Sequence, residues 1–205
     1  MCSSDLTPTG NDDPSAAVRR TARSLRCEVL VGVHAEQLVV VLGRNDDLEG
    51  AADRISDEFG EGPVVTGPVV DGLGRAGESA ASALAGLRAA RAWPDAPRPV
   101  ASDALLAERA LDGDPLARAA LHERVTGPLQ AAGGEVLETV RAVLNSGGNL
   151  EASARAIFVH PNTVRYRLKR AADLTGLSAT DPRGSWTLQV AMALAELDRD
   201  RSLWH

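Results

Sequence analysis

The stretch IFVHPNTVRYRLKRAADL, residues 157–174, decides how the second half of the chain folds. Between His160 and Arg170 it carries four basic residues and no acidic one, although the whole chain has a formal net charge of -6. Lys169, one of the four, is the only lysine in the sequence. Because local potential governs binding more than total charge does, this concentration predicts that the stretch meets a polyanion.

The residues around this stretch predict a helix-turn-helix. Two helices, 150–158 and 161–173, are separated by about three residues, which is the spacing of that motif. Ala154 is small where the two helices must cross closely, and Val159 in the turn is apolar, as expected of a residue that packs beneath the crossing. Pro161 suits a first helical turn, where its missing N–H costs nothing.

The second helix has one apolar and one polar side. With Val164 as the inward reference and about 100° per residue, Leu168 and Ala171 return to the core side. The opposite side and its flanks carry amide, hydroxyl and guanidinium donors, which bind phosphates and read base edges in a major groove. With His160 placed near a phosphate, the candidate DNA-binding residues are His160, Asn162, Thr163, Arg165, Tyr166, Arg167, Lys169 and Arg170.

The totals limit the protein class. A chain of 205 residues has room for one large or two small domains, and a pI near 5.2 argues against a histone-like protein that coats nucleic acid. Cys2 and Cys27 give neither a disulfide framework nor a metal knuckle, so we expect a cytoplasmic protein. We find no secretion signal, no membrane span and no metal-ligand or catalytic spacing, and therefore predict no enzyme activity.

The first half alternates strand-like and helix-like segments. After a leading helix from Pro14 to Arg26, the order ββαβαβ is expected, which predicts a small α/β domain with a mostly antiparallel sheet. The strands are expected at 27–33, 37–43, 62–70 and 99–101, and the helices at 47–60 and 78–93.

From Ala104 onward every pattern is helical. Asp114-Pro115 predicts a helix start, and Gly127-Pro128 predicts a break. We therefore expect an α+β protein in which the α/β domain precedes an all-α domain. The predicted parts are an N-terminal segment with the leading helix (1–24), the α/β domain (25–103), a helical connector (104–133) and the helix-turn-helix domain (134–205).

The second half closely resembles the C-terminal domain of PucR/CdaR-type bacterial transcriptional regulators, over roughly residues 134–198. The resemblance rests on LEASARAIFVHPNTVRYRLKRAADLTGLSATDP and its motif residues Phe158, Val159, His160, Asn162, Thr163, Arg165, Tyr166, Arg167 and Leu168. It implies a Fis-like helix-turn-helix with Asn162 through Arg170 as the recognition helix. Many relatives carry arginine where this chain has Pro161, so base preferences of those relatives are not carried over.

Residues 25–103 more weakly resemble the degenerate GGDEF-like domain of the same family. The hairpin expected from strands 27–33 and 37–43, joined by His34-Ala35-Glu36, offers VHAEQ in place of a Gly-Gly-(Asp/Glu)-Glu-Phe turn, so we expect no diguanylate cyclase activity and no cofactor. The family also implies an N-terminal ligand-sensing region, and with it a small-molecule effector.

The first six residues, MCSSDL, match the translation of a sequencing-adapter end, TGC-TCT-TCC-GAT-CT, after a methionine. We expect residues 1–6 to be foreign to a longer natural protein, and exclude them from the fold.

Two other readings compete with DNA recognition. Gly72-x-Gly74-x-x-Gly77 follows a strand and precedes a helix, which is one part of a dinucleotide-binding fingerprint. The helical half would alternatively be a protein-interaction module without sequence-specific DNA binding, its basic face giving only solubility.

The favoured function is a sequence-specific transcriptional regulator whose partners are double-stranded DNA and, across two half-sites, a second copy of the chain in a homodimer or higher oligomer. The last helix, with Trp186, is expected to serve the core more than self-association.

Overall fold

The computed structural model describes residues 2–3 and 14–202 of the chain, and the side chains of residues 14–199. The chain divides into two compact units, residues 1–112 and 113–205. The boundary falls inside the segment 104–133 that we expected to be a connector, so its residues are shared between the two units. The first unit is α/β and the second is helical, which confirms the α+β class.

The first unit is built on one five-stranded sheet in the order β2-β3-β1-β4-β5. Its pairs are antiparallel except for β4 with β5, which are parallel. The strands are β1 Cys2–Ser3, β2 Glu28–His34, β3 Gln37–Gly43, β4 Val64–Thr66 and β5 Val100–Ala101, and the helices are α1 Pro14–Ser24, α2 Leu48–Ser56, α3 Ala76–Ala89 and α4 Leu106–Leu111.

Helices pack on both faces of this sheet. Alternate strand residues point to opposite sides, so each face has its own set of packed side chains. On one face, Leu38 and Val40 of β3 pack with Val18 of α1 and Ile55 of α2. On the other, Val65 of β4 and Val100 of β5 pack with Leu87 of α3. The leading helix therefore belongs to the core of the first unit.

The strand β1 corrects our exclusion of residues 1–6 from the fold. Cys2 and Ser3 pair with Val39 and Leu38 of β3 on one side and with Val65 and Val64 of β4 on the other. Sheet pairing uses backbone N–H and C=O groups, so an extended segment of almost any sequence can occupy such a position. The remaining residues of MCSSDL lie outside the described residues.

The strand predicted over 62–70 is also shorter than expected, since β4 ends at Thr66. Gly67-Pro68 follows it, and proline has no N–H to donate to a sheet. The predicted hairpin is present, but His34, expected in the turn, belongs to β2, and the strands are joined by Ala35 and Glu36 alone, with φ of 47° and 64°. Two central residues at positive φ are typical of a type I′ turn, which connects hairpin strands through two residues.

The second unit contains six helices among the described residues: α5 Pro115–Leu121, α6 Gly127–Ala131, α7 Gly134–Asn145, α8 Leu150–Ala156, α9 Pro161–Thr175 and α10 Pro182–Ser202. Asp114 caps α5 as predicted, its carboxylate accepting the Leu116 N–H at 2.9 Å. The predicted break at Gly127-Pro128 is wrong, because the chain continues through a π-helical turn, His122–Thr126, into α6. The wider turn accommodates Pro128, which cannot make the usual helical hydrogen bond.

The core of the second unit is aliphatic. Its fully covered side chains come from each of its longer helices, and α10 contributes Leu188, Ala191 and Leu194. Trp186 and Leu197, in contrast, are 40% and 59% exposed. The prediction that α10 serves the core is therefore correct for its middle turns and not for these two side chains.

Candidate nucleic-acid interface

The predicted helix-turn-helix consists of α8, the turn 157–160 and α9. Asn149 caps α8 by accepting the Ala152 N–H on Oδ1 at 2.9 Å. His160 caps α9 in the same way, its Nδ1 accepting the Asn162 N–H at 3.1 Å, and Pro161 follows in the first helical turn. Gly176, with φ 70°, ends α9. The helix α8 is two residues shorter than predicted, and α9 is two residues longer.

The inner side of α9 is held by α7 and α8. Val164 and Ala171 are buried as predicted, and Ala154 of α8 is 2% exposed where the helices cross. Buried Ser153 donates its hydroxyl to the Asn149 carbonyl at 2.6 Å, so no polar group of its side chain is left unpaired. Leu168 and Val159 are half-buried, at the margin of this core. The motif is therefore a packed unit that holds α9 in one orientation.

The outer side of α9 presents most of the predicted site residues to solvent. Tyr166 is 68% exposed, and Asn162, Arg165, Lys169 and Arg170 are also exposed. Arg165 donates from Nη1 to Oδ1 of Asn162 at 2.8 Å, which orients both side chains at the N-terminal end of the helix. Thr163 is half-buried on the flank. The structure thus brings six of the eight predicted residues together on one exposed face, with exposed His160 at its N-terminal end.

Arg167 is placed differently from the other predicted site residues. Its side chain is only 15% exposed, and its guanidinium forms an ion pair with Glu135 of α7. Nη1 also donates to Oγ1 of buried Thr139 at 3.4 Å. Three residues after Val164, Arg167 lies only about 60° from the inward direction. The helical angle therefore indicates an inward direction, and the structure shows that the partner there is α7.

Two exposed residues were missed by the sequence prediction of the site. Arg155 is exposed near the end of α8. Phe158 in the turn is 95% exposed and has φ 56°. Arg155 could have been found by extending the charge search to the first helix of the motif, whereas Phe158 carries no sequence signal of its exposure.

The glycine-rich stretch in the first unit lacks the packing that a dinucleotide fingerprint requires. A parallel unit β4-α3-β5 is present. However, a Cβ added at Gly72, Gly74 or Gly77 would meet nothing within 4 Å. The close approaches to α3 occur instead at Gly67, where an added Cβ would clash with the Ser79 carbonyl oxygen, and at Gly86, where it would lie 2.8 Å from Cγ1 of Val65. The stretch therefore forms an open turn before α3, in which Arg75 pairs with Glu78 at 2.8 Å.

Comparison with known families and structures identifies both units. Residues 136–194 match the PucR C-terminal helix-turn-helix domain, and residues 5–89 match the GGDEF-like domain. The crystal structure of a regulator of polyketide synthase expression from Bifidobacterium adolescentis is similar over 97% of this chain and 80% of that one, with 33% identity and a TM-score of 0.82. The chain belongs to the PucR-type transcription regulators.

Uncharacterized proteins of Mycobacterium bovis and Mycobacterium tuberculosis are each 44% identical to this chain over 185 residues. That match covers 90% of this chain and 45% of each relative, so the chain spans less than half of their length. Within the described part of the chain, no helix has the length and apolar content needed to cross a membrane.

Proposed function

We propose that this PucR-type chain is a sequence-specific DNA-binding transcription regulator, and that α9 enters the major groove. The observation that carries the proposal is the division of α9 into a buried inner side and an exposed, donor-rich outer side. A helix-turn-helix presents its second helix to DNA in this way, with the N-terminal residues of that helix reaching the base edges.

Phosphate binding is assigned to the exposed basic residues of the motif. These are Arg155, Arg165, Lys169 and Arg170. No ion pair within the described residues is found for any of the four, whereas the guanidinium of Arg167 is paired with Glu135. Four cations that neutralise about four phosphates would give a log–log salt slope of about -3.6 for each bound copy of the chain.

Base reading is assigned to the N-terminal half of the outer side. An asparagine amide can bind both hydrogen-bonding groups of adenine. Asn162 has this side chain, and the phosphate-binding Arg165 orients it by donating from Nη1 to its Oδ1 at 2.8 Å. Thr163 and the Tyr166 hydroxyl can add contacts to phosphates or bases, and His160 lies where the helix N-terminus meets a phosphate.

We further infer that the chain binds DNA as a homodimer or higher oligomer. One α9 helix reads only a half-site, and helix-turn-helix proteins gain specificity by pairing over two half-sites about one helical turn apart. Sedimentation of the chain with its selected operator should show two copies per duplex. A strictly monomeric complex on a palindromic operator would refute the pairing.

The first unit is assigned a supporting role in signal transmission or assembly, without cyclase activity. Where the resemblance to GGDEF domains implies a metal- and triphosphate-binding turn, this chain has the two-residue turn Ala35-Glu36. Incubation of the chain with GTP and Mg²⁺ should therefore yield no cyclic dinucleotide, and formation of that product would overturn this assignment.

The experiment that tests the proposed function is selection of bound duplexes from a random DNA pool, followed by titration at two salt concentrations. Enrichment of one motif, above all an inverted repeat, is the expected result. Salt-sensitive binding without enrichment would leave a non-specific DNA binder. No binding at low salt would reject the proposal in favour of a helical protein-interaction module.

A further inference from the structure

The turn between α8 and α9 exposes an aromatic side chain that the fold does not require. Phe158 is 95% exposed, more than any other large hydrophobic side chain among residues 14–199. Its φ of 56° lies in the left-handed region, which residues with a Cβ rarely adopt. An exposed ring gains nothing from burial, so neither packing nor backbone preference explains a phenylalanine here.

The hydrogen bonds of this turn show which residue type would suit it better. The Val159 N–H donates to the Ala154 carbonyl at 3.0 Å, and the Phe158 N–H to the Arg155 carbonyl at 3.4 Å. These two bonds define a Schellman motif, in which Phe158 occupies the left-handed position that is usually glycine.

The helix α7 ends with the same motif and carries the usual residue. The Gly148 N–H donates to the Val143 carbonyl at 2.9 Å, the Gly147 N–H to the Leu144 carbonyl at 3.2 Å, and Gly147 has φ 59°. Two successive helices of one unit therefore end in one backbone conformation, once with glycine and once with phenylalanine.

A second residue with a side chain in this conformation shows that the aromatic ring is the unusual feature. Arg26 has φ 56° just after α1, and the Cys27 N–H donates to the Ala22 carbonyl at 2.9 Å, as in the other two motifs. Arg26 is exposed, but water solvates a guanidinium well. An exposed phenyl ring has no such compensation.

The position of Phe158 indicates what its ring meets. In the chain it lies between Arg155 at the end of α8 and His160 at the start of α9, both of which are exposed. The N-terminal end of a recognition helix reaches the base edges, and the C5-methyl of thymine is the apolar group exposed there. We propose that Phe158 is a specificity-determining residue that contacts a thymine methyl in the major groove. This inference rests on the proposed function.

The test compares Phe158→Gly with the unaltered chain on the selected operator. Glycine suits the left-handed position, so this variant should melt no lower than the unaltered chain. Its affinity for the operator should nevertheless fall by about tenfold for each bound copy, the scale of one lost base contact. Leu174→Ala, which trims another exposed apolar side chain of the motif, is the matched control and should leave the affinity unchanged.

Operators in which single thymines are replaced by uracil locate the contact, since uracil lacks only the C5-methyl group. At one position per half-site the unaltered chain should lose about fourfold in affinity, corresponding to one buried methyl. Phe158→Gly should lose nothing at that position. This coupling between one side chain and one methyl group distinguishes direct contact from a general effect on the turn.

Other outcomes overturn the inference in different ways. Equal affinity of Phe158→Gly and the unaltered chain would refute it and leave the proposed function standing. Weaker binding without coupling to any thymine would reject the methyl contact. If Phe158→Gly sediments as a monomer where the unaltered chain sediments as a dimer, the ring would contact a second copy of the chain instead of DNA. Failure of the unaltered chain to bind any duplex would refute the proposed function itself, and the thymine contact with it.

Discussion

The two sides of α9 show how one short helix uses the same residue type for two purposes. On the inner side, Arg167 is 15% exposed and paired with Glu135, beside buried Val164. On the outer side, Arg165 and Arg170 are exposed, two and three positions away in sequence. Since successive residues of a helix are rotated by about 100°, Arg167 faces α7 while Arg165 and Arg170 are available to a ligand. Charge alone therefore does not identify which basic residues are available to a ligand.

Reversing charge on the outer side should have the largest effect. The double variant Arg165→Glu/Arg170→Glu loses two phosphate contacts and adds repulsion, so operator affinity should fall by about a thousandfold or more. Because both side chains are exposed, the melting temperature should hardly change. Fluorescence anisotropy and thermal denaturation measure the two quantities.

The matched control for this reversal is Arg23→Glu/Arg54→Glu, which makes the same change in net charge at exposed positions of the first unit. It should retain nearly full affinity. An equal loss in both double variants would show that total charge governs binding. Survival of binding in Arg165→Glu/Arg170→Glu would show that α9 is not the helix that meets DNA.

Trimming the inner side should act on stability. Val164 is fully buried, so Val164→Ala leaves a cavity and should lower the free energy of unfolding of the second unit by about 2 kcal/mol. Operator affinity should be unchanged at temperatures where the variant is folded. Denaturant titration gives the first value, and Leu174→Ala, at a 43% exposed position of α9, should cost less than about 0.5 kcal/mol.

Breaking the link between α9 and α7 should have a smaller effect. Arg167→Ala removes a mostly covered side chain and its ion pair, and should cost about 1 kcal/mol of unfolding free energy. Glu135→Ala should cost less, since the Glu135 side chain is 78% exposed. A double-mutant cycle should give a coupling of about 0.5 kcal/mol, and a coupling of zero would contradict the pairing.

The smallest effect is expected far from α9, at the exposed pair Arg75–Glu78 in the first unit. The hydrogen bond from Arg75, followed by its charge, lowers the pKa of Glu78. The contribution of this carboxylate to stability is therefore present above its ordinary pKa and lost as pH falls through the lowered one. Thermal melts of Glu78→Gln should differ little from those of the unaltered chain at pH 7 and not at all at pH 2. A difference in melting temperature that grows as the pH falls would contradict the lowered pKa of Glu78.

Much of the fold follows from the sequence because local patterns and packing agree there. The hairpin was predictable from two apolar runs around His34-Ala35-Glu36, and the caps at Asn149 and Asp114 from their residue types. The end of α8 was not, because Phe158 stands where a glycine would have marked it. The strand β1 was not predictable either, since its pairing depends on backbone groups rather than on side-chain pattern.

The candidate site was predicted as a set of residues but not as a set of roles. Composition identified the basic stretch, and periodicity identified Val164 and Ala171 as its inner side. The partner of Arg167 lies 32 residues earlier in the chain, in α7, and only the folded structure brings Glu135 to it. Arg155 was overlooked because it lies outside the basic stretch that first drew attention.

The salt dependence of operator binding tests most directly whether the outer side of α9, and not its inner side, meets DNA. Counted per bound copy, the slope of log affinity against log salt should be about -3.6 for the unaltered chain and about -2.7 for Arg170→Ala, which lacks one phosphate contact in each copy. Arg167→Ala should keep a slope of about -3.6, since its guanidinium is bound to Glu135. A slope that falls for Arg167→Ala and not for Arg170→Ala would contradict the account.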